Sequence, residues 1–262
     1  IKAGRNSYTA HVIDPRCMVC WYRGGMTELT LAVGEESLRN DYKGCHRGAQ
    51  APDISMGVLN YSLTRTQPKP ASKQLNPDYW FNYARPMVWM SYAETQFLLA
   101  EAALRGYQGA SLTGTAEDYY RCGVKASMDY YEIPSDVVAS YITGLVALND
   151  GTFTSGNKEK MLEAIITQKW LAVFPNGNEG WAEFRRTDYP ALANQLTNNS
   201  GGDVPIGKMI KRLLYPNSEV TNQYFKSHFE LQRKNTQGTR LWWDVADTND
   251  DNGKRQLPNN FR

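Results

Sequence analysis

The 262-residue sequence has no long run of apolar residues and no excess of charge of either sign. Its mean hydropathy is −0.57. A membrane-crossing helix needs about 20 consecutive, mostly apolar residues, so we expect no transmembrane helix. Lys and Arg total 29 against 27 for Asp and Glu. This near balance argues against a dedicated nucleic-acid-binding protein, which carries a basic patch or stripe.

Cysteine and histidine are also scarce, with four and three residues. Cys17 and Cys20 form a C-x-x-C pair, a spacing compatible with half a zinc site, a redox pair, a local disulfide or two thiols. Because no second C-x-x-C follows, a disulfide or ordinary thiols is the better interpretation. Residues 247–253 match a calcium loop only in part and are interpreted as a polar loop. No P-loop or dinucleotide motif occurs, and we expect no metal and no cofactor.

What the sequence does contain is a series of helical patterns. Apolar residues at spacings of three and four predict a helix that starts at a Ser91–Glu94 capping box and ends at Gly106. Glu101 and Arg105 are placed on its outer face. Further helices are predicted over 115–131, from Ser135, from an Asn157 cap to the stop at 175–177, after a cap at Asn178, and over 217–231. The first two helices predict an αα-hairpin.

Alternating strand patterns are scarce, so we predict an all-α, mainly helical fold of helical hairpins with long ordered loops. Residues 1–86 and 191–262 are loop-rich, whereas 87–190 carry the hairpins. The sequence near residues 86 and 190, where these regions meet, does not have the composition of a linker. We therefore predict one domain over 1–262. The sequence begins at Ile1 without an initiator Met, signal peptide or lipid-attachment Cys, which we interpret as the start of a fragment or processed form.

Several short motifs follow one another in a fixed order. In chain order they are Asp14-Pro15-Arg16, Ser91-Tyr92-Ala93-Glu94, Leu98-Leu99-Ala100-Glu101-Ala102, Tyr119-Tyr120, Gln168-Lys169-Trp170-Leu171-Ala172, Arg185-Arg186-Thr187, Arg212 with Tyr215-Pro216, and Trp242-Trp243-Asp244. Together these motifs resemble the SusD/RagB family of outer-membrane lipoproteins over about residues 14–250. Each motif is weak alone, and their order makes the resemblance specific.

The resemblance implies a SusD-like fold with tetratricopeptide-like hairpins, of which these residues form the C-terminal portion. It implies a nutrient-binding protein on the extracellular face of the outer membrane, held by a lipid anchor absent from this chain. The implied partners are a TonB-dependent β-barrel transporter of the SusC type and an oligosaccharide, with no nucleic acid. The implied function is capture of the oligosaccharide and its delivery to the transporter, without catalysis.

Aromatic side chains are the candidates for glycan binding, because Trp and Tyr combine a large apolar face with a polar group. The sequence has 16 Tyr and 7 Trp. Trp21 and Tyr22 follow the C-x-x-C pair, and Tyr79 and Trp80 lie in a loop flanked by Pro and Asn. Loops on a rigid scaffold are where binding residues tend to lie. We therefore predict that these four residues stack on the ligand.

The remaining tryptophans are interpreted mainly as scaffold. Trp170 lies on an apolar helical face. Trp181 with Arg185 and Arg186 is compatible with an anion clamp. The favoured alternative is an Arg stacked on the Trp ring, with pairing to a nearby Glu. Residues 242–243 are expected to be buried at least in part.

Three other functions stay open at this point. The first is a peptide-binding member of the same family. The second is a helical glycoside hydrolase, which would need two suitably spaced carboxylates from among Glu179, Glu183 and Asp244. The third is a scaffold that contacts only the transporter.

Overall fold

The computed structural model describes residues 14–20, 86–107, 109, 112–192, 200–204, 209–224, 235–241, 244 and 260–261. Within these residues the chain forms eight α-helices and no β-strand, which confirms the predicted all-α class. The chain divides into two compact units. Unit 1 comprises residues 1–44, 56–192 and 259–262, and unit 2 comprises 45–55 and 193–258. The single domain over 1–262 stays a prediction.

Of the helices that the structure describes, seven lie in unit 1 and one in unit 2. In chain order they are α1 (Arg16–Cys20), α2 (Tyr92–Arg105), α3 (Ala116–Tyr130), α4 (Ser135–Thr143), α5 (Val146–Asn149), α6 (Lys158–Ala172), α7 (Gly177–Thr187) and α8 (Asn217–Val220). Among the helices that the structure describes, none is long and apolar enough to cross a bilayer.

Local side-chain caps fix where α2 and α3 begin. The Ser91 hydroxyl accepts a hydrogen bond from the Glu94 backbone N–H at 3.0 Å, and Gly106 ends α2 in the left-handed region, with φ at 74°. Thr115 and Asp118 form a reciprocal capping box at the start of α3. These contacts confirm the predicted helix starts, because a cap satisfies backbone N–H groups that the first turn leaves without a partner.

The α2–α3 pair forms the predicted hairpin, and its two helices approach closely at Gly123. A Cβ atom at this position would lie 2.8 Å from the Phe97 ring, so only glycine fits without displacing the ring. Phe97 in turn meets Tyr120 edge-on, with ring centroids 6.3 Å apart. Both rings are fully buried. The hairpin is therefore held by close aromatic packing.

Helix α6 is the central helix of unit 1. Asn157 caps it by accepting a hydrogen bond from the Lys160 N–H, as predicted, and it packs against α2, α3 and α7. Because it has neighbours on several sides, it buries apolar residues on one face and polar residues on another. The buried set is Leu162, Ala164, Ile165, Ile166, Thr167, Gln168, Lys169, Leu171 and Ala172.

Three predictions of detail are wrong. The cap of α7 is Asn176, which accepts a hydrogen bond from the Glu179 N–H at 3.2 Å, and not Asn178. Glu101 does not lie on an exposed face, because it is only 7% exposed. The helix predicted over 217–231 is interrupted: α8 ends at Val220, the chain is helical again at 223–224, and 225–231 lie outside the described residues. At the interruption the Thr221 hydroxyl bonds back to the Ser218 carbonyl, a local contact that competes with helix continuation.

Candidate functional site

The four aromatic residues predicted to stack on a ligand, Trp21, Tyr22, Tyr79 and Trp80, lie outside the described residues. Their role therefore stays a prediction. The structure does describe the helix that comes directly before Trp21, which is α1. It also describes residues 86–91, which lie in the sequence between the second aromatic pair, Tyr79 and Trp80, and the start of α2.

Helix α1 is fixed by a buried ion pair. The Arg16 guanidinium donates to both carboxylate oxygens of Asp14, from Nη2 at 2.6 Å and from Nε at 3.0 Å. The Arg16 backbone N–H also donates to Asp14 Oδ1 at 3.0 Å. Both side chains are buried. A buried charge is stable only when it is paired and hydrogen-bonded, and this local geometry meets both conditions.

Three neighbouring helices complete the hydrogen bonding of this pair. Arg16 donates to Ser127 Oγ of α3 at 2.9 Å and to Gln168 Oε1 of α6 at 2.6 Å. The Tyr141 hydroxyl of α4 donates to Asp14 at 3.0 Å. Burial alone would raise the pKa of Asp14, but the charge and hydrogen bonds of Arg16 lower it below its ordinary value. The carboxylate therefore stays ionised, and α1 is joined to α3, α4 and α6.

The C-x-x-C cysteines lie on α1 and are both buried. Cys20 is a free thiol, so no disulfide joins it to Cys17. Burial raises the pKa of Cys20 to about 12 and also raises the pKa of Cys17, which leaves both thiols protonated and poorly nucleophilic. In the part of the chain that the structure describes, no three His, Cys, Asp or Glu residues are placed to hold a metal ion.

A second buried network surrounds Lys169 of α6. Its ammonium group lies 2.8 Å from Glu183 and 3.2 Å from Glu179, both of α7, and 3.9 Å from Glu94 of α2. The Lys169 side chain is only 2% exposed. Burial raises the pKa of Glu94 despite the nearby Lys169 charge. One buried cation therefore links three helices through carboxylates.

Arg186 extends this network toward α2. It makes a two-pronged contact with Glu101, at 2.7 and 2.6 Å, and also donates to Glu183 at 2.7 Å. Arg105 donates to the same Glu101 at 2.8 Å. Burial alone would raise the pKa of Glu101, but the hydrogen bonds and charges of Arg186 and Arg105 lower it. Glu101 is therefore held as a salt-bridged anion, and both Glu101 and Glu183 have a structural role as partners of Arg186.

Trp181 and Arg185 form the stacked pair that the sequence favoured. The Arg185 guanidinium carbon lies 4.5 Å from the centre of the Trp181 ring, within the range of a cation–π contact. The pairing with a Glu is made by the neighbouring arginine, because it is Arg186 that contacts Glu183, at 2.7 Å. Trp170 is half-buried and lies against Gly180 of α7, where an added Cβ would be 3.2 Å from its ring nitrogen. Both tryptophans take part in scaffold packing.

The contacts in these two networks were not predicted from the sequence, although Arg16, Gln168 and Lys169 occur in the motifs that carry the resemblance. Arg16 and Gln168 are separated by 152 positions, and Glu101 and Arg186 by 85. Spacing along the chain carries no information on such pairs. The available signal was the presence of Gln168 and Lys169 inside an apolar helix, since charged residues are almost never fully buried unless they are paired.

In unit 2, Arg212 organises the segment around Tyr215. Its guanidinium carbon lies 4.4 Å from the centre of the Tyr215 ring, and Nη2 donates to Asn235 Oδ1 at 2.5 Å. Asn235 Oδ1 also accepts from the Tyr215 backbone N–H at 3.1 Å. Lys211 forms an ion pair with Asp244 at 3.2 Å. The Arg-x-x-Tyr-Pro motif is thus a folding element of this unit.

The described residues form an all-α scaffold built on helical hairpins, and a comparison with protein families identifies its family. The SusD-like family described as "Starch-binding associating with outer membrane" matches residues 10–216. This chain therefore belongs to the SusD-like family. No curated protein matches the chain.

Solved structures agree with this assignment. The chain is similar to a SusD homologue from Bacteroides vulgatus, with 27% identity, a TM-score of 0.64, and coverage of 90% of this chain and 47% of that one. A SusD homologue from Bacteroides thetaiotaomicron shares 27% identity with a TM-score of 0.63, covering 88% and 49% of the respective chains. A chitin-binding SusD homologue from Flavobacterium johnsoniae shares 26% identity with a TM-score of 0.58, covering 89% and 47%. The chain thus spans about half the length of these structures.

Proposed function

We propose that this protein binds an oligosaccharide at the extracellular face of the outer membrane, where a lipid anchor holds it. It delivers the oligosaccharide to a TonB-dependent β-barrel transporter of the SusC type. The observation that carries the proposal is the family match over residues 10–216, whose description is starch binding in association with the outer membrane. The chitin-binding homologue supports a polysaccharide fragment as the class of ligand.

The geometry of the described residues favours binding over hydrolysis. A glycoside hydrolase needs a protonated acid and a second carboxylate beside the scissile bond. Glu179 and Glu183 are both engaged by Lys169, and Asp244 is engaged by Lys211. Carboxylates committed to structural ion pairs are poorly placed for proton transfer, so we propose a non-catalytic role.

We propose that Trp80, Tyr79, Trp21 and Tyr22 supply the stacking surface. The supporting observation is the anchoring of the neighbouring chain, since Trp21 directly follows α1. Helix α1 is tied to three other helices through Arg16, Asp14 and their buried partners. A loop that starts from a rigid element loses less conformational entropy when it binds a ligand.

Isothermal titration calorimetry with maltoheptaose and with chitohexaose tests the proposal. We expect the protein to bind at least one of the two. We expect Trp80→Ala or Trp21→Ala to weaken that binding about tenfold, which corresponds to roughly 1.4 kcal/mol. The matched control is Tyr107→Ala, which removes an aromatic ring that is 64% exposed but outside the proposed site. It should leave the affinity unchanged.

Other outcomes identify the other functions. Binding of peptides in place of both oligosaccharides indicates the peptide-binding variant. Release of reducing ends from the oligosaccharides indicates a hydrolase. Copurification with a β-barrel transporter, combined with no affinity for oligosaccharides or peptides, indicates a scaffold protein.

A further inference from the structure

Four buried side chains around α1 form a closed ring of hydrogen bonds, which we name the α1 hydrogen-bond ring. Arg16 Nη2 donates to Gln168 Oε1 at 2.6 Å, and Gln168 Nε2 donates to the Tyr141 hydroxyl at 3.3 Å. That hydroxyl donates to Asp14 Oδ2 at 3.0 Å, and Arg16 Nη2 donates to the same oxygen at 2.6 Å. All four residues are at most 3% exposed. The ring therefore joins α1 to α4 and α6 through directional contacts away from water.

The Tyr141 hydroxyl has two roles in this ring, since it is a donor on one side and an acceptor on the other. Its single proton is committed to Asp14, and one of its two lone pairs accepts from Gln168. Without the hydroxyl, Asp14 would lose a donor and Gln168 would lose an acceptor. Tyr141 thus couples the residue that precedes α1 to α6.

The apolar contacts of α1 hold the helix in the core but do not fix its direction. Val19 and Cys20 are 3% and 1% exposed and belong to the hydrophobic core of unit 1. Hydrophobic burial is non-directional, and a helix of five residues has little stability of its own. Hydrogen bonds, by contrast, weaken steeply when donor and acceptor lose their alignment. The orientation of α1 therefore depends on the α1 hydrogen-bond ring.

Net stability is a weak explanation for a polar ring in this place. Replacing a buried ion pair by apolar side chains of similar volume is often neutral or stabilising, because both charges must otherwise leave water. A buried polar network in which every member is satisfied does, however, make the local structure rigid and unique. The α1 hydrogen-bond ring is therefore better suited to fixing a position than to adding stability.

The end of α1 leads directly to the first candidate ligand-binding residue. Helix α1 ends at Cys20, and Trp21 is the next residue in the sequence. With a rise of about 1.5 Å per residue, α1 extends about 6 Å from Arg16 to Cys20, so a rotation of about 10° moves its end by about 1 Å. Binding residues need to be held within about 0.5 Å of their productive positions. A small change in the direction of α1 is therefore large enough to affect binding.

We propose that Tyr141 is a positioning residue for the oligosaccharide site, which acts through Asp14 and the direction of α1 on Trp21. This inference rests on the proposed function, in which Trp21 stacks on the ligand. It adds to that function a residue that contributes to affinity without contacting the oligosaccharide.

A double-mutant cycle measured by isothermal titration calorimetry tests the proposal, with maltoheptaose and chitohexaose as probes. With whichever of the two binds, we expect Tyr141→Phe to weaken the affinity about threefold and Trp21→Ala to weaken it about tenfold. Tyr141→Phe added to Trp21→Ala should cause no further loss. The two effects are non-additive because Tyr141 acts on the ligand through Trp21, and the cycle measures this coupling.

Tyr189→Phe is the matched control, because Tyr189 is a second buried tyrosine with the same kind of contact. It is 0% exposed, and its hydroxyl donates to Glu159 Oε2 at 3.0 Å, the same distance that joins Tyr141 to Asp14. Both substitutions remove one hydroxyl from a carboxylate, so we expect similar decreases in Tm. Tyr189→Phe should leave the affinity for the oligosaccharide unchanged, which separates positioning from stability.

Fluorine NMR of the protein labelled with 5-fluorotryptophan provides a readout without a ligand. The Trp21 resonance is assigned by its loss in Trp21→Ala, and the Trp181 resonance by its loss in Trp181→Phe. We expect Tyr141→Phe to shift or broaden the Trp21 resonance and to leave that of Trp181 unchanged. Tyr189→Phe should leave the Trp21 resonance as it is in the natural protein.

The outcomes distinguish this inference from the proposed function. If the natural protein binds neither oligosaccharide, both are overturned. If Trp21→Ala weakens binding and Tyr141→Phe does not, only the positioning role is overturned. The same holds for equal losses of affinity in Tyr141→Phe and Tyr189→Phe, and for additive effects in the double variant. Unchanged affinity in Trp21→Ala overturns the assignment of Trp21 together with the positioning role.

Discussion

Arg16 and Lys169 have long cationic side chains that are almost fully buried in unit 1. Removing a charge from water costs several kcal/mol, and the cost is offset only when every donor finds an acceptor. Arg16 meets this condition with a planar guanidinium that reaches Asp14, Ser127 and Gln168 together. Lys169 meets it with a compact ammonium among three carboxylates. The two cations therefore cannot be exchanged.

Removal of Arg16 should destabilise the protein strongly. The Arg16→Met variant leaves Asp14 as a buried anion without its main partner, and we expect the free energy of unfolding to fall by about 3–5 kcal/mol. Urea unfolding followed by circular dichroism measures the change. The matched control is Arg121→Met on α3, which breaks an exposed ion pair and should cost no more than about 0.5 kcal/mol. Equal effects of the two variants would contradict a buried structural role for Arg16.

Acid should remove the stabilisation that Asp14 provides. Its pKa is lowered in the folded protein by Arg16, against the opposing effect of burial. Such a carboxyl stabilises fully above its unfolded pKa of about 3.9 and stops doing so as the pH falls through its folded pKa. We therefore expect the stability difference between the natural protein and Asp14→Asn to be largest near neutral pH and to shrink below about pH 4.

Urea unfolding of both proteins between pH 7 and pH 3 checks this expectation. A stability difference that stays constant across the series would show that Asp14 acts through packing rather than through its charge.

At the residue scale, local partners were predictable and distant ones were not. Ser91 and Glu94 lie three positions apart, and this spacing predicted the cap at the start of α2 correctly. Glu101 was placed on an exposed face because Arg105 is its only charged neighbour at helical spacing. Arg186, which buries it, is 85 positions away. Helical geometry determines contacts within about one turn, whereas distant pairs depend on how helices pack.

At the scale of elements, the α2–α3 hairpin depends on one small residue. Gly123 lies in the interior of α3, where helix propensity alone would favour Ala by about 1 kcal/mol. The structure shows why glycine is present, because an added Cβ would lie 2.8 Å from the Phe97 ring. That ring is fully buried and packed against Tyr120, so it has little room to move.

Gly123→Ala should therefore destabilise the protein, by about 1–3 kcal/mol as is usual for an overpacked core. The control is Gly109→Ala in the connection between the two helices, where no atom lies within 4 Å of the added Cβ. The control should be neutral. Thermal unfolding of both variants gives the comparison, and the double variant Phe97→Leu/Gly123→Ala should recover part of the loss. A stabilising Gly123→Ala would show that propensity outweighs packing here.

Helix existence was predictable from the sequence, whereas helix boundaries were less so. The periodic apolar residues of α2 and α6 predicted both helices with their caps. For α7, Asn176 and Asn178 are both suitable caps, and the sequence does not distinguish them. The choice depends on where the chain turns after α6. The helix predicted over 217–231 is interrupted after Val220, where the Thr221 hydroxyl donates to the Ser218 carbonyl, and the chain is helical again at 223–224.

At the scale of the whole molecule, unit 1 is completed by residues from the end of the sequence. Glu159 of α6 accepts hydrogen bonds from the Asn260 backbone N–H and from the Tyr189 hydroxyl. The Asn260 side chain donates to the Thr187 carbonyl at 3.2 Å. Phe261 lies near Arg105, at 5.0 Å from the guanidinium carbon to the ring centre. Residues 260–261 thus contact α2 and α6 and the end of α7.

Asn260→Ala should lower the free energy of unfolding of the whole chain by about 1–2 kcal/mol, because its side chain donates to Glu159 Oε2 at 3.3 Å and to the Thr187 carbonyl at 3.2 Å. Asn178→Ala is a matched control, since Asn178 is exposed and Asn176 caps α7. The control should change stability by less than about 0.5 kcal/mol. Urea unfolding measures both, and equal stability of Asn260→Ala and the natural protein would argue against a structural role for this contact.

The candidate ligand-binding residues depend on the fold of the whole molecule, and their role could be predicted least well from the sequence. Trp80 and Trp21 lie in segments without a helical or strand period, so no spacing rule assigns the direction of their side chains. Their selection depended only on loop location. The scaffold tryptophans, by contrast, lie on helices, and the structure agrees with the interpretation of Trp170 and Trp181.

The hydrogen bond between Asn260 and Thr187 bears on which segment of this chain could be replaced by another sequence. Residues 193–258 leave unit 1 after Leu192 and return to it at Asn259, and the chain on the two sides is held together by that hydrogen bond. A segment whose flanking residues are in contact can be lengthened, shortened or exchanged without rerouting the polypeptide around it. A protein engineer could therefore exchange the sequence between Leu192 and Asn260 while α2, α3, α6 and α7 keep their covalent path.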